Sequence, residues 1–309
     1  MATAADIPIP TAPRQSLGRA ALPYLLSLPA LLVCIGILVP FGTAVWYSLQ
    51  RYNLNLPMMR GFIWFDQYVQ LFQSAAFWNT VWVSLLYAVI TVTVELGLGL
   101  GIALLLRRSN WLNNMLSIAL LMPLMVAPAI ASLMWKLMTH PDFGILSYLL
   151  TLVGITDFRW ASAPSSALFT VILVDVWVYT PFMMILLLAG LRSLPRQPFE
   201  AAELDGVPAS FVFFRITLPM LMPYMITAAL FRMLDSIQQF DIVYAMTQGG
   251  PGNATLLFQV QAYLDFFKNF NVGRSAALLM VLWLIANVIS VQFIKHWLRL
   301  RERARGVSA

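Results

Sequence analysis

Polar side chains interrupt an otherwise apolar stretch of this chain at 219–244. The stretch contains Arg232, Asp235, Gln238 and Gln239. Ionisable groups are costly inside a bilayer, so each one is a functional candidate. Arg232 and Asp235 are three residues apart, which allows a structural ion pair along one helix. The two glutamines carry donors and acceptors without charge, which suits hydroxyl-rich solutes. The alternative role for them is hydrogen bonding between helices at a subunit interface.

A second stretch, at 166–191, places Asp175, Tyr179 and Phe182 on one helix face, with Trp177 off that face. A carboxylate accepts hydrogen bonds from hydroxyl groups, and aromatic rings stack on the apolar face of a sugar. The sequence therefore predicts a lining for a saccharide path. Packing and interfacial anchoring of the aromatic residues is an equal alternative.

A third stretch, at 77–106, contains Glu95 and the pair Gly97 and Gly101. Glu95 has no evident partner in the sequence, and we expect it to form a hydrogen bond toward other helices rather than to act in transport. The two glycines, four residues apart, predict close packing of this helix against a neighbour.

The elements that carry these residues must lie in a membrane. Hydrophobic residues make up 60% of the 309 residues and charged residues only 10%, whereas soluble domains carry roughly 25% charged residues. The net charge of +6 is spread over membrane boundaries rather than gathered in one patch, which argues against nucleic-acid binding. The single cysteine excludes an intrachain disulfide and a cysteine-based metal site.

A membrane-spanning helix needs about 20 mostly apolar residues. Six stretches qualify, and they predict an all-α polytopic membrane protein. Pro123 and Pro128 in the third stretch, and Pro181 in the fourth, are expected to kink their helices. The predicted spans are 22–46, 77–106, 115–138, 166–191, 219–244 and 275–296.

Lys and Arg residues outside the spans predict the orientation, because they concentrate on the cytoplasmic side. They are denser in the two terminal segments and in the connections 107–114 and 192–218. Both termini and the 192–218 connection are therefore expected in the cytoplasm. The residues on that side are Arg14, Arg19, Arg107, Arg108, Arg192, Arg196, Arg215, Lys295, Arg299, Arg301, Arg303 and Arg305; those opposite are Arg51, Arg60, Arg159, Lys268 and Arg274.

The connection at 192–219 has a distinctive spacing. It reads Glu200-Ala201-Ala202, three residues, Gly206, nine residues, Ile216, one residue and Leu218-Pro219. Pro195 and Pro198 predict the end of one span and the start of a short helix, about Phe199 to Asp205. Gly206 is expected to end this helix in a left-handed conformation, and Ser210 to cap the next one. Taken alone, the segment could be an ordinary helix resting on the membrane surface.

This pattern resembles the EAA loop of permeases of ABC importers, at every fixed position. Only Val207-Pro208 departs from the usual residues after the glycine. The resemblance implies the type I ABC importer permease fold, with six membrane helices and a cytoplasmic coupling helix. It implies that the coupling helix docks in a groove of a separate ATPase. The docking residues implied are Glu200, Ala201, Ala202, Leu204, Asp205 and Gly206.

Weaker resemblance extends over about 75–295 and favours the carbohydrate-uptake branch. It rests on Trp135 with Phe143-Gly144, on Trp177 with Pro181, and on the run at 247–251. The span after the loop lines the path in this family, so the substrate-path candidates are Asp175, Tyr179, Phe182, Asp235, Gln238 and Gln239.

The resemblance implies a subunit that is not itself an enzyme and binds no cofactor, with ATP and Mg²⁺ on partner subunits. The implied partners are a second homologous permease, two ATP-binding subunits and a periplasmic or lipid-anchored solute-binding protein, besides membrane lipid. The location expected is the inner membrane. The predicted organisation is a cytoplasmic tail at 1–20, a permease domain at 21–298 and a basic tail at 299–309.

Three alternatives remain. The same machine could carry another cargo, such as a polyamine or a phosphate ester. A stand-alone secondary transporter usually shows inverted repeats, which this chain lacks. An intramembrane enzyme needs an embedded nucleophile or metal set, and neither a nucleotide-binding Gly-x-x-x-x-Gly-Lys-Ser/Thr loop nor a His-Glu-x-x-His motif is present.

Overall fold

The computed structural model describes the backbone of residues 17–304 and the side chains of residues 26–299. It divides into two compact units, one up to Trp46 and one from Tyr47 onward. Helix α1 already begins at Leu17, so only residues 1–16 of the predicted tail lie outside the described part. At the other end the last helix continues to Ala304, and residues 305–309 of the predicted basic tail lie outside it.

The described chain is helical apart from one small antiparallel sheet and short 3₁₀ and π turns. The sheet pairs β1 (Gln50–Arg51) with β2 (Gly61–Phe62). The α-helices are α1 (Leu17–Ser48), α2 (Asp66–Gln73), α3 (Ala75–Leu105), α4 (Trp111–Leu120), α5 (Met122–Met125), α6 (Pro128–Met138), α7 (Ile145–Leu152), α8 (Pro164–Ser193), α9 (Gln197–Leu204), α10 (Ala209–Phe211), α11 (Leu218–Ile237), α12 (Asp241–Thr247), α13 (Phe258–Phe267) and α14 (Val272–Ala304).

Five helical segments among the described residues are long and apolar enough to cross a membrane. A bent pair of helical segments gives a sixth if it counts as one span. The predicted polytopic all-α fold is therefore confirmed. The five segments other than the bent pair are Leu26–Ser48, Ala75–Leu105, Pro164–Ser193, Ala209–Ile237 and Val272–Arg299.

The third predicted span, 115–138, is not one kinked helix. Trp111–Met125 and Pro128–Met138 meet at a bend of 89°. Pro128 has no N–H to continue the hydrogen-bond ladder, and its ring disfavours helical geometry at the preceding residue. Ala127 accordingly adopts φ −57° and ψ 131°. A kink was expected at these prolines, but the helix is broken there instead.

The fifth predicted span, 219–244, is also too long. Helix α11 ends at Ile237, and α12 begins separately at Asp241. The side-chain oxygen of Gln239 accepts a hydrogen bond from the backbone N–H of Phe240 at 3.0 Å, in place of a helical carbonyl. Side chains that compete locally for backbone groups favour such helix ends.

The centre of the second unit is the packing of α3, α8 and α11. Small residues let membrane helices approach closely, but Gly97 and Gly101 do not serve this purpose within the chain, because a Cβ at either would have no atom within 4 Å. Gly99 does, since a Cβ there would lie 2.7 Å from the Met183 Cβ and 2.9 Å from the Met184 backbone nitrogen. Within the chain, the close approach of α3 to a neighbouring helix is therefore made at Gly99 and not at the two predicted glycines.

The connections 47–76, 139–165 and 245–274, between predicted spans on the side opposite the termini, contain short ordered elements. The two-stranded sheet in 47–76 was not predicted, because two residues per strand are too few to show an alternating pattern. The residues of the weaker motifs have structural roles. The rings of Trp135 and Trp177 meet edge to face at 5.9 Å, and Gly249 turns at φ +89°, where a Cβ would lie 2.7 Å from Leu256.

Candidate coupling loop and polar cluster

The short helix α9 forms where the sequence predicts it. Pro198 occupies its first turn, where a missing N–H removes no helical hydrogen bond. The helix ends in a left-handed glycine, Gly206, at φ +66°. The backbone N–H groups of Gly206 and Val207 donate to the carbonyl oxygens of Glu203 and Ala202, at 3.2 and 3.0 Å. These bonds close the helix end and reverse the chain.

The surface of α9 is largely open. Glu200, Ala201, Asp205 and Gly206 are exposed, and Leu204 is 89% exposed. An exposed leucine beside small residues suits contact with another protein. Of the six predicted docking residues, only Ala202 is buried within the chain, where it holds the helix in place.

The segment after Gly206 leads directly into α11. Pro208 lies at the start of α10, and Ser210 lies within that helix without making a capping hydrogen bond, so the predicted cap was wrong. A π turn from Val212 to Thr217 then joins α10 to α11. Helix α9 is thus linked, through the turn at Gly206 and short helical segments, to α11, which carries a buried arginine.

That arginine, Arg232, is 1% exposed and forms the centre of a polar cluster. Its Nε and Nη2 donate to the two carboxylate oxygens of Glu95, at 2.7 and 3.0 Å. Its Nη2 also donates to Asp175, and its Nη1 to Asp235 at 2.7 Å. The ion pair predicted between Arg232 and Asp235 is therefore present, but two fully buried carboxylates from α3 and α8 share the guanidinium with it.

Further groups complete the cluster. The second oxygen of Asp175 accepts from Gln239 at 3.1 Å. The guanidinium carbon of Arg232 lies 3.9 Å from the centre of the Tyr179 ring, within cation–π range. The hydroxyl groups of Thr91 and Ser236 are 2.8 Å apart. The cluster thus joins α3, α8 and α11 by hydrogen bonds, which stabilise helix contacts in a membrane.

An uncharged aromatic cleft lies beyond the end of α11. It has a volume of about 480 Å³ and is shallow and widely open. Gln238 and Gln259 supply amide groups in its wall. Tyr263 lies beside Phe240 and Phe267, with ring centres 5.1 and 4.6 Å away. Amide groups beside aromatic rings can bind a neutral, hydroxylated molecule.

Residues 95–304 match the model of the family described as binding-protein-dependent transport system inner membrane component. The matched part covers α9, Arg232 with its three carboxylate partners, and every helix from α4 onward. The chain belongs to this family. Its members are transport components of the inner membrane, and the resemblance found in the 192–219 loop is confirmed.

Relatives match this permease over nearly its whole length. It is 37% identical to a probable ABC transporter permease protein, y4oQ, of Sinorhizobium fredii, with 87% of each chain covered. It is 32% identical to the trehalose/maltose transport system permease protein MalF of Thermococcus litoralis, over 90% of this chain and 94% of that one. The sulfoquinovosyl glycerol transport system permease protein SmoG of Agrobacterium fabrum is 31% identical, with 90% and 91% covered.

The fold of this permease also matches solved structures. A chain of a bacterial ABC transporter involved in the import of the acidic polysaccharide alginate superimposes with a TM-score of 0.78 at 18% identity. The match covers 92% of this chain and 97% of that chain. The protein is therefore a multi-pass permease of the ABC-importer type.

The six substrate-path candidates fall into two groups. Asp175 and Gln239 are buried and bind other members of the polar cluster. Tyr179 and Phe182 are half-buried, while Asp235 and Gln238 are exposed. Contact with a cargo stays a prediction for all six.

The sequence reasoning did not pair Glu95 with Arg232. The hydrogen bond expected for Glu95 toward other helices is present, and its donor is that arginine. A signal was available, because Glu95, Asp175 and Arg232 each lie near the middle of a predicted span. A buried arginine in a membrane requires carboxylate partners at its own depth. Among the described residues no three metal-ligating side chains come together.

Proposed function

We propose that this permease forms half of the translocation path of a sugar-importing ABC transporter, driven by ATP hydrolysis on separate subunits. The observation that carries this proposal is the coupling loop. An exposed two-turn helix ends in a left-handed glycine and continues, through a π turn, into the helix that carries Arg232. Movement of a bound ATPase could thus be transmitted to the centre of the membrane domain.

The remaining assembly follows from the same proposal. A second permease completes the path, two ATP-binding subunits bind below, and a solute-binding protein delivers cargo from outside. The chain itself needs no cofactor, since ATP and Mg²⁺ bind to the partner subunits. The excess of Lys and Arg at the termini and in the 192–218 connection supports a cytoplasmic position for these segments.

In this proposal the polar cluster holds together the helices that line the path, and the exposed edge of the cluster contacts the cargo. Asp235, whose side chain is 56% exposed, and Tyr179 are the members of the cluster that a solute can reach. Gln238 connects this edge to the aromatic cleft, whose lining residues carry no charge. The buried pair Asp175 and Gln239 positions Arg232 and the end of α11 rather than binding cargo directly.

The chemistry of these surfaces favours a neutral, hydroxylated cargo. A phosphate ester would meet the exposed carboxylate of Asp235, and the neighbouring cation Arg232 is already bound by three carboxylates. A polyamine would meet the same carboxylate of Asp235, but Arg232 already binds it at 2.7 Å, and the lining of the aromatic cleft contains no carboxylate. The relatives whose names specify trehalose, maltose or a sulfoquinovosyl glycerol agree with a sugar or glycoside. A relative named for sn-glycerol-3-phosphate, 29% identical, keeps the phosphate ester as the second candidate.

Co-purification tests the coupling role. The tagged permease is co-expressed with candidate partner permeases and ATPases, and the ATPase recovered per mole of tagged chain is measured. The variant Glu200→Ala/Gly206→Leu changes an exposed carboxylate and forces a side chain into a left-handed position. We expect ATPase recovery to fall sharply, while the amount of tagged permease in the membrane stays unchanged.

The chain offers a matched control. Gly154 also has a left-handed backbone, at φ +89°, with open space around it, and Asp142 is an exposed carboxylate in the same connection. The variant Asp142→Ala/Gly154→Leu should recover as much ATPase per mole of tagged chain as wild type does. Equal loss in both variants, or no loss in either, would remove the special role of the 192–219 loop.

Uptake into proteoliposomes tests the cargo. The complete transporter is supplied with its binding protein and with disaccharides, glycerol phosphate or a polyamine. We expect uptake of a disaccharide, reduced in Gln238→Ala and in Tyr179→Ala. Uptake of glycerol phosphate or of the polyamine alone would agree with import by an ABC transporter but would contradict a sugar as the cargo.

A further inference from the structure

Four arginine side chains surround one cavity beside the coupling helix. Arg107 and Arg108 come from the connection after α3, Arg192 from the end of α8, and Arg196 from the residue before α9. The cavity has a volume of about 500 Å³. Glu200 and Glu203 line it as well, so four guanidinium groups face two carboxylates.

These arginines are not neutralised by the permease itself. Across residues 26–299, whose side chains are described, no carboxylate lies within ion-pair distance of any of the four. Arg192 is positioned by hydrogen bonds to the Leu106 carbonyl oxygen at 3.1 Å and to Asn114 at 3.2 Å. The cavity thus combines a fixed arginine with three whose guanidinium donors are available to a ligand.

The position of the cavity points to the headgroup layer of a membrane. Helices α3 and α8 both end beside it, and they are among the helices long and apolar enough to span a bilayer. The chain next to the cavity also exposes large apolar side chains. Leu105 is 80% exposed, Trp111 77% and Leu112 57%. Arginines that line the cavity are therefore followed or preceded closely along the chain by exposed apolar residues suited to acyl chains.

We propose that this cavity binds the phosphodiester headgroup of an anionic phospholipid. Arginine forms paired hydrogen bonds with phosphate oxygens, and basic pockets between membrane helices at the cytoplasmic side bind such headgroups. A bound headgroup would contact α8 and the first turn of α9 together. It would thus hold the coupling helix against the end of α8. The inference uses the membrane location of the chain and does not depend on the cargo.

Lipid retention by the purified chain provides the test. Wild type and Arg107→Gln/Arg108→Gln are purified in detergent, titrated with phosphatidylglycerol or with phosphatidylcholine, and examined by native mass spectrometry. Neither Arg107 nor Arg108 makes a side-chain hydrogen bond within the described residues, so folding should be preserved. We expect wild type to retain phosphatidylglycerol selectively, and the variant to bind it roughly thirtyfold more weakly.

A second variant and a charge-matched control sharpen the result. Arg196→Gln should weaken retention independently, because it removes another guanidinium donor from the cavity lining. Lys295→Gln/Arg299→Gln removes two exposed positive charges outside the cavity, on the same predicted side of the membrane, and should retain the lipid like wild type. Equal retention by all variants, or equal loss in the control, would overturn the proposal.

Two further measurements separate the alternative ligands. Displacement of phosphatidylglycerol by inorganic phosphate at millimolar concentration would identify a site for a soluble anion and overturn the proposal of a lipid ligand. Loss of co-purified ATPase in Arg107→Gln/Arg108→Gln with unchanged lipid retention would identify a partner contact instead. Because retention is scored on the permease alone, the test remains decisive even if the proposed sugar-import function is wrong.

Discussion

Two groups of arginines in this permease differ in what surrounds them. Arg232, in the middle of α11, is bound by Glu95, Asp175 and Asp235 and is nearly inaccessible. The arginines at the cavity beside α9 have no carboxylate partner within the described chain. The charge of Arg232 is paired with carboxylates of the same chain, and these contacts hold α3, α8 and α11 together. The charges of the four cavity arginines are unpaired within the described residues, which indicates ligands or partners outside the chain.

Removing the buried charge should have the largest effect. Arg232→Met leaves two fully buried carboxylates without a cationic partner, and breaking such a buried pair costs about 3–5 kcal/mol. We expect a large fall in the yield of folded protein and in its melting temperature in detergent. Arg108→Met, at the cavity, should leave the melting temperature nearly unchanged.

A compensating variant distinguishes unpaired charge from lost packing. Glu95→Gln/Asp175→Asn/Arg232→Met removes the buried charges together, and neutral replacement of buried ion pairs is often tolerated. Its melting temperature should lie much closer to that of wild type than the melting temperature of Arg232→Met does. A triple variant as unstable as Arg232→Met would indicate that the shape of the arginine, rather than its charge, is required.

Two neighbouring glycines provide a second comparison of internal and open surfaces. Gly99→Ala places a methyl group against the backbone of α8 and should cost about 1–3 kcal/mol of stability. Gly97→Ala faces open space within the chain and should not reduce the stability of the isolated permease. Melting temperatures of the two purified variants give the result, and equal values would contradict the packing described between α3 and α8.

Asp265 should give the smallest effect, and one that depends on pH. Burial raises the pKa of its carboxyl group, although Asn269 and Arg274 partly oppose this. The folded protein therefore holds the proton more tightly than the unfolded chain does. Its contribution to stability is complete below the ordinary Asp pKa and is lost as pH rises through the raised value.

The melting temperature of wild type, measured from about pH 4 upward, should therefore decline more with pH than that of Asp265→Asn. Asp142→Asn, at an 88% exposed carboxylate, provides the control and should follow wild type. A steeper decline in Asp265→Asn than in wild type would reverse the sign of the predicted shift.

The sequence predicted local features better than contacts between distant segments. Gly206 and the α9 helix were predicted because proline and glycine act on the backbone within a few residues. The pairing of Arg232 with Glu95 was not predicted, since Glu95 is 137 residues away and a single sequence gives no pairing. The break within span three and the early end of the helix in span five were missed, because hydropathy records the apolar length of a segment and not where its helix breaks.

The same distinction applies to the predicted glycines. Spacing identified α3 as a helix that approaches a neighbour closely, but two faces of that helix carry glycine. Only the tertiary structure shows that Gly99 faces Met183 while Gly97 and Gly101 do not.

The π turn at Val212–Thr217 has a consequence for changes in the length of this segment. A π turn accommodates one more residue than the corresponding α-helical turn. Deleting a single residue there would therefore leave an ordinary α-helical turn, with α11 in nearly the same rotation and Arg232 still beside Glu95. A deletion between the turn and Arg232 would instead rotate Arg232 by about 100° about the helix axis, away from Glu95. A folded permease after deletion of Phe214, an exposed residue, and its loss after deletion of Met225 would show that the π turn is where this segment tolerates a change in length.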